Sequence, residues 1–178
     1  MMVVVTTTGV WTVRRATVEQ PEAAELLYAY YDELVSRYQG RPSLPGEVDM
    51  VLRDEPNDDL VVFFVARVDD EPAGCVGIRM LAPDLAELSR MYVRPPFRRA
   101  GGGRLLLGAA DEAAVELGAS VIRLDTRHDL VEARAMYARY GYREIPAYND
   151  SRYAGHWFEK SLTEKSLTTR EGPGSIGG

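Results

Sequence analysis

Between residues 87 and 124 the chain changes hydrophobic period twice, from two to about 3.6 and back again, with glycine at both ends of the middle stretch. Residues 87–93 alternate and are stopped by Pro95-Pro96. Residues 102–117 carry Leu106, Ala109, Ala110, Ala113 and Leu117 on one helical face, and Gly118 supplies the stop. Residues 121–124 then form a short apolar strand. Two strands joined through a helix of that length run parallel in one sheet with a right-handed crossover. Ligands of such units bind at the carboxyl ends of the strands.

That end carries Arg98-Arg99-Ala100-Gly101-Gly102-Gly103-Arg104. The glycines have no Cβ, so an anion can approach the first N–H groups of the helix, which lack intrahelical partners and sit at its positive end. Charge agrees: residues 90–104 hold Arg90, Arg94, Arg98, Arg99 and Arg104 and no acid, within a chain of net charge −6. The stretch reads as a phosphate-binding turn. Its bland alternative is a glycine-rich helix start with solvated arginines. A Walker loop is excluded because Arg104-Leu105 follows Gly103, and the dinucleotide fingerprint would want Gly or Ala at Leu106. Alternation along 87–93 puts Leu88, Arg90 and Tyr92 on one side and Glu87, Ser89, Met91 and Val93 on the other.

The remaining segments read as strands and helices of one domain. A strand at 11–16 leads to a helix at 21–38, capped by Thr17 or Glu19 and ended by Gly40. A short helix at 45–52 and a polar turn at 54–59 precede a hairpin of strands 61–68 and 74–81. Asp129 is expected to cap a helix running to Tyr140, and strands at 143–145 and 156–162 flank a loop. A domain over 1–163 followed by a disordered tail over 164–178 is expected, because the tail is rich in Ser, Thr and Gly without periodicity.

Composition excludes several functions. No leader-like start is present, and no apolar run approaches the roughly 20 residues of a membrane span, so a cytoplasmic protein without a membrane partner is expected. The single Cys75 excludes an intrachain disulfide and a multi-cysteine metal site, and its apolar neighbours read as a buried strand. His128 and His156 are too far apart and too few for a metal site, so no metal is expected. Net acidity with one compact arginine patch argues against nucleic acid.

With the order strand, Arg98-x-x-Gly101-x-Gly103, helix, strand, then Ala133-Arg-Ala-Met-Tyr137-Ala-Arg-Tyr-Gly141-Tyr142, the chain resembles the GNAT superfamily of acyl-CoA-dependent N-acyltransferases. The resemblance covers residues 11–162, and its specific part lies between 87 and 142. It implies a single α/β (α+β) domain: a mixed, mostly antiparallel sheet with one splayed parallel strand pair and helices on both faces. It also implies acetyl-CoA as co-substrate, with its pyrophosphate on the turn of Arg98, Arg99, Ala100, Gly101, Gly102, Gly103 and Arg104. The pantetheine arm would lie along the main chain of Met91, Tyr92 and Val93. By the same resemblance Tyr137 is the general acid toward the leaving thiolate and Glu87 the general base toward the acceptor amine. Leu130 departs from the pattern, because many members carry an asparagine there.

Amine acylation needs a neutral amine and a protonated leaving group, so a carboxylate and a phenol suit the two proton transfers. With an ordinary pKa of about 4.3, Glu87 would work through water or in a partly apolar cleft. The plain alternatives are a strand-end charge for Glu87 and a core aromatic for Tyr137. Residues 17–60 hold eleven acids against three arginines, a net of −8, which favours a cationic acceptor over an acidic one. Tyr28, Tyr31 and Tyr148 are the expected acceptor-site residues. The expectation is acetyl transfer directly to a primary amine of a small molecule or peptide, without an acyl-enzyme, a homodimer being left open. The alternative is a non-catalytic acyl-CoA-binding regulatory module.

Overall fold

Strand pairing dominates the architecture, and its one parallel junction creates an opening. The computed structural model describes residues 1–6 and 9–162, so the expected tail over 164–178 and the boundary at 163 lie outside the described residues. The strands are β1 (Met2–Thr6), β2 (Gly9–Ala16), β3 (Val62–Val68), β4 (Glu71–Ala82), β5 (Leu85–Val93), β6 (Val121–Thr126), β7 (Arg143–Ile145) and β8 (His156–Ser161). They form one sheet in the order β1-β2-β3-β4-β5-β6-β8-β7, antiparallel throughout except for β5–β6. The helices are α1 (Pro21–Gln39), α2 (Glu47–Asp54), α3 (Gly102–Glu116) and α4 (Val131–Arg139). The mixed sheet with helices on both faces is the fold class expected from the sequence.

The two faces have separate cores. Behind the sheet, Leu106, Leu107, Ala110 and Ala114 of α3 pack on Trp11, Val76, Ile78, Leu88 and Ile122. In front, Leu26 and Leu27 of α1 pack on Phe63, Val65, Cys75 and Tyr92. Each fully buried aliphatic side chain contributes about 1.5–3 kcal/mol, so these clusters hold the helices to the sheet. Several local expectations change: α1 follows Gln20 without a side-chain cap from Thr17 or Glu19, and α2 spans Glu47–Asp54 instead of 45–52. β1 was not foreseen, because its run of valines shows no apolar–polar alternation: as the edge strand it leaves Val3 and Val5 exposed while Met2 and Val4 reach the core. α4 starts one residue later than expected, after Leu130, and Asp129 does not cap it, since both carboxylate oxygens are held at 2.8 Å by Arg127.

β5 does not keep one alternation. Cys75 faces Tyr92 and Gly77 faces Ser89 across the β4–β5 ladder, so three residue steps on β5 match two on β4. Arg90 takes up the extra residue at φ 55°, in the left-handed region. Such a bulge swaps the faces of everything beyond it. Ala86 and Leu88 face the rear core before it and Met91 and Val93 after it, while Tyr92 turns to the front. The sides expected from simple alternation therefore hold only up to the bulge.

The β5–β6 ladder is short: Leu85 pairs with Val121, Ala86 with Ile122 and Glu87 with Arg123, and no further pair forms. Beyond Glu87 the two strands diverge. Residues 88–93 thus present an edge without a strand partner on the β6 side, as the resemblance implied for a splayed pair.

Candidate active site

The fork between β5 and β6 opens into a cleft of about 860 Å³, floored by residues 87–91 of β5, Asp125 and Thr126 of β6 and Arg127 just beyond it, and walled by α1, α2, α4 and the loop ahead of β8. The bulge decides what the floor presents. It brings Ser89 and Arg90 to the cleft as neighbours, and Arg90 donates from Nε to Asn57 Oδ1 at 2.9 Å while its guanidinium lies 5.4 Å over the Tyr31 ring.

Glu87 stands at the last paired position, where the fork begins, and only 8% of it is exposed. Its Oε2 accepts a hydrogen bond from the Tyr148 hydroxyl at 2.7 Å, and its Oε1 lies 3.5 Å from Arg79 Nε. Burial pushes its pKa up from the ordinary value, the Tyr148 hydrogen bond and the Arg79 charge pull it partly back, and Asp125 and Asp59 push it further up. A carboxylate raised in this way is a stronger proton acceptor than a solvated one.

Tyr137 comes to the same cleft from α4, 5% exposed and packed against Tyr142 and Phe158. Burial pushes its phenol pKa well up, which keeps the group protonated at neutral pH while making it a weaker acid than a solvated phenol. Leu130, at the head of α4, also lines the cleft.

The turn beyond β5 carries two kinds of contact. The first intrahelical hydrogen bond of α3 runs from Leu105 N–H to Gly101 O at 3.2 Å, which leaves the N–H groups of Gly102, Gly103 and Arg104 without intrahelical partners. Arg98 donates from Nε to Val93 O at 2.8 Å and pairs with Glu33 of α1. Arg94 pairs with Glu25. Arg90 is committed to the cleft, so three of the five arginines are already partnered. Arg99 and Arg104 are exposed and form no ion pair among the described residues.

The three glycines serve different ends. Gly101, at φ 88° with open space where a Cβ would stand, is the one shaped for a close approach from outside. A Cβ on Gly102 would meet Trp11 Cη2 at 2.2 Å, and one on Gly103 would meet Met136 Sδ at 2.6 Å. Those two are needed by internal packing.

The other expected residues separate. Tyr31 is 2% exposed and lines the cleft; Tyr28 is 45% exposed and is absent from its walls. Tyr148 turns its hydroxyl to Glu87. Sequence reasoning passed over Asp125, Arg79 and Arg123, whose importance arises only from strand pairing. Asp125 Oδ2 accepts from Asn149 Nδ2 at 2.7 Å, and Asn149 Oδ1 accepts from Trp157 Nε1 at 2.8 Å. Contrary to expectation, His128 and His156 are not far apart: β8 brings them together, with His128 Nδ1 3.1 Å from His156 Nε2 and the rings stacked. Among the described residues, however, no group of three or more His, Cys, Asp or Glu is arranged to hold a metal ion, and no helix is long and apolar enough to cross a membrane.

Comparison with known proteins agrees with this geometry. The acetyltransferase (GNAT) family matches residues 24–142. The uncharacterized N-acetyltransferase YvbK of Bacillus subtilis (strain 168) is 25% identical over 130 residues, covering 69% of this chain and 83% of the relative. YhfO of the same organism, also an uncharacterized N-acetyltransferase, is 27% identical over 141 residues, covering 74% and 89%. Among solved structures, a GNAT-family acetyltransferase from Staphylococcus aureus Mu50 superposes with a TM-score of 0.66 at 16% identity, over 86% of this chain and 99% of that one. The PaiA N-acetyltransferase of Thermoplasma acidophilum, in complex with coenzyme A, superposes with a TM-score of 0.63 at 19% identity, over 85% and 98%. The forked sheet, the paired glycine and tyrosine motifs and the family match together make this chain a member of the GNAT family of acetyltransferases.

Proposed function

We propose that the protein transfers an acetyl group from acetyl-CoA directly to a primary amine, with Glu87 as general base and Tyr137 as general acid. The observation that carries this reading is the buried carboxylate of Glu87 at the mouth of the fork, in one cleft with a protonated phenol. Acetyl-CoA supplies the thioester carbon that the amine attacks. Glu87 takes a proton from the incoming ammonium, which leaves a neutral nucleophile. Tyr137 gives its proton to the departing sulfur. The N–H groups at the head of α3, with Arg99 and Arg104, hold the diphosphate, and the free edge of Met91 to Val93 lines the arm that joins it to the thioester. Acids on the cleft wall, among them Asp54, Asp58, Asp59 and Asp125, favour a cationic acceptor.

Cys75 takes no part. It is fully buried, its thiol donates to Arg90 O at 3.4 Å, and burial raises its pKa well above the ordinary value, so it is neither ionised nor reachable. The test is thiol release from acetyl-CoA in the presence of polyamines, amino acids, aminoglycosides or peptides. Turnover with at least one amine is expected, without stoichiometric acetylation of Cys75 by mass spectrometry. Acetyl-CoA binding without turnover across the panel would favour the regulatory module instead.

A further inference from the structure

Glu87 lies in a row of alternating charge that crosses four neighbouring strands. Glu159 of β8 accepts from Arg123 Nε of β6 at 2.9 Å, and the Arg123 guanidinium lies 5.3 Å over the Tyr148 ring. Tyr148 donates to Glu87 of β5, Glu87 faces Arg79 of β4 at 3.5 Å, and Arg79 pairs with Asp59 at 2.9 Å. The next residue of the Tyr148 loop, Asn149, holds Asp125, the second carboxylate on the cleft floor, and is itself fixed by the indole N–H of Trp157. Consecutive residues of one loop therefore each grip one carboxylate, on strands that have just parted.

We propose that Tyr148 and Asp125 are a pair of opposed positioning residues for Glu87: Tyr148 fixes one carboxylate oxygen, while Asp125, anchored by Asn149, stands as a like charge across the fork. This rests on the reading of Glu87 as the general base. The geometry has two parts. With Oε2 held by Tyr148 and Oε1 3.5 Å from Arg79 Nε, the carboxylate is kept from rotating while lone pairs remain on it for the amine proton. Two carboxylates facing one cavity also share a cation more readily than either alone, so an arriving ammonium is met at the point where it must lose its proton.

The two residues act on Glu87 in opposite directions. A hydrogen bond to the ionised form favours ionisation, and a nearby like charge disfavours it. The other charged groups around Glu87 are Arg79 of β4, Asp59 ahead of β3 and Arg123 of β6, and they are unchanged in both variants considered next. Tyr148→Phe removes the donor, so Glu87 titrates at higher pH. Asp125→Asn removes the like charge, so it titrates at lower pH. A role confined to packing gives no such opposition of sign.

The experiment reads the Glu87 carboxyl resonance directly in ligand-free full-length protein carrying ¹³C-labelled glutamate, assigned by its absence in Glu87→Gln. Shifts of roughly half a pH unit or more are expected, upward for Tyr148→Phe and downward for Asp125→Asn. The acid limb of kcat/KM moves in the same two directions. Shifts of the same sign, or none, would overturn the proposal. Retained turnover in Glu87→Gln overturns the base assignment instead, and the resonance experiment tells the two failures apart because it needs no activity. Asn149→Ala, which frees Asp125 without changing its charge, is expected to raise KM for the amine with little change in coenzyme affinity; an unchanged KM speaks against the loop as a clamp.

Discussion

The turn at 98–104 and the floor of the fork hold charge by opposite means. In the turn, the candidate groups are main-chain amides without intrahelical partners at the head of α3 and two exposed guanidinium groups, and under the proposed function the geometry of a helix start would supply most of the grip. On the floor, the groups are carboxylates with little exposure, and each depends on a side chain from a distant segment for its orientation. Helix amides cannot be removed by a side-chain substitution, whereas a buried carboxylate loses its function with a single change. Under the proposed function, anion holding would be distributed and tolerant, and proton handling concentrated and fragile.

Substitutions put that contrast at risk, beginning with the floor. Glu87→Gln is expected to lower kcat by on the order of 10² to 10⁴, with acetyl-CoA affinity by calorimetry little changed. A loss of affinity comparable to the loss of rate would abolish the distinction. Tyr137→Phe is expected to have an effect of the same order on kcat, and since the phenol is buried in a packed cluster, a thermal unfolding curve close to that of the unaltered protein is required alongside.

Next come the glycines of the turn, which separate packing from binding. Gly102→Val forces a branched side chain against Trp11 and is expected to cost about 1–3 kcal/mol or more of stability, read by denaturant titration. Gly101→Ala meets no neighbouring atom, so its effect is confined to about 1–2 kcal/mol for holding a left-handed backbone. If Gly101→Ala proved the more destabilising of the two, the division of labour among these glycines would be wrong. The smallest effect falls on the exposed cations. Arg99→Ala and Arg104→Ala are each expected to weaken acetyl-CoA binding by up to about fivefold, an effect that shrinks as salt is raised.

Acidity sharpens the same comparison. The Glu87 pKa is raised, and a general base works ionised, so under the proposed function activity is expected to fall as pH drops through that raised value. The acid limb of kcat/KM should lie above the ordinary glutamate value of about 4.3. A limb at or below that value would argue that Glu87 is solvated during turnover.

The same contrast explains what could be read from the chain before its fold was known. The turn is contiguous, and its period change, glycines and arginines sit within a few residues of each other. The α3 helix, the hairpin of β3 and β4 and the parallel junction follow from local patterns of the same kind. The floor has no local signature. Tyr148 lies 61 residues from Glu87, and Asn149 lies 24 from Asp125, so their contacts exist only once β5, β6 and β8 are neighbours. The bulge at Arg90 is equally hidden, since it is a mismatch between two strands and neither strand alone records it. Gly102 and Gly103 look like ligand-facing glycines in sequence, and only the position of Trp11 and Met136 shows that interior packing needs them small.

The packing of Trp11 against Gly102 has one more consequence. The chain has two tryptophans: Trp11 touches the head of α3, and Trp157 bonds to Asn149 beside the paired carboxylates. Under the proposed function each ligand would bind near its own native fluorophore. Two proteins, each keeping only one indole, would let stopped-flow emission time the arrival of donor and acceptor independently, and so reveal the order in which the two are taken up.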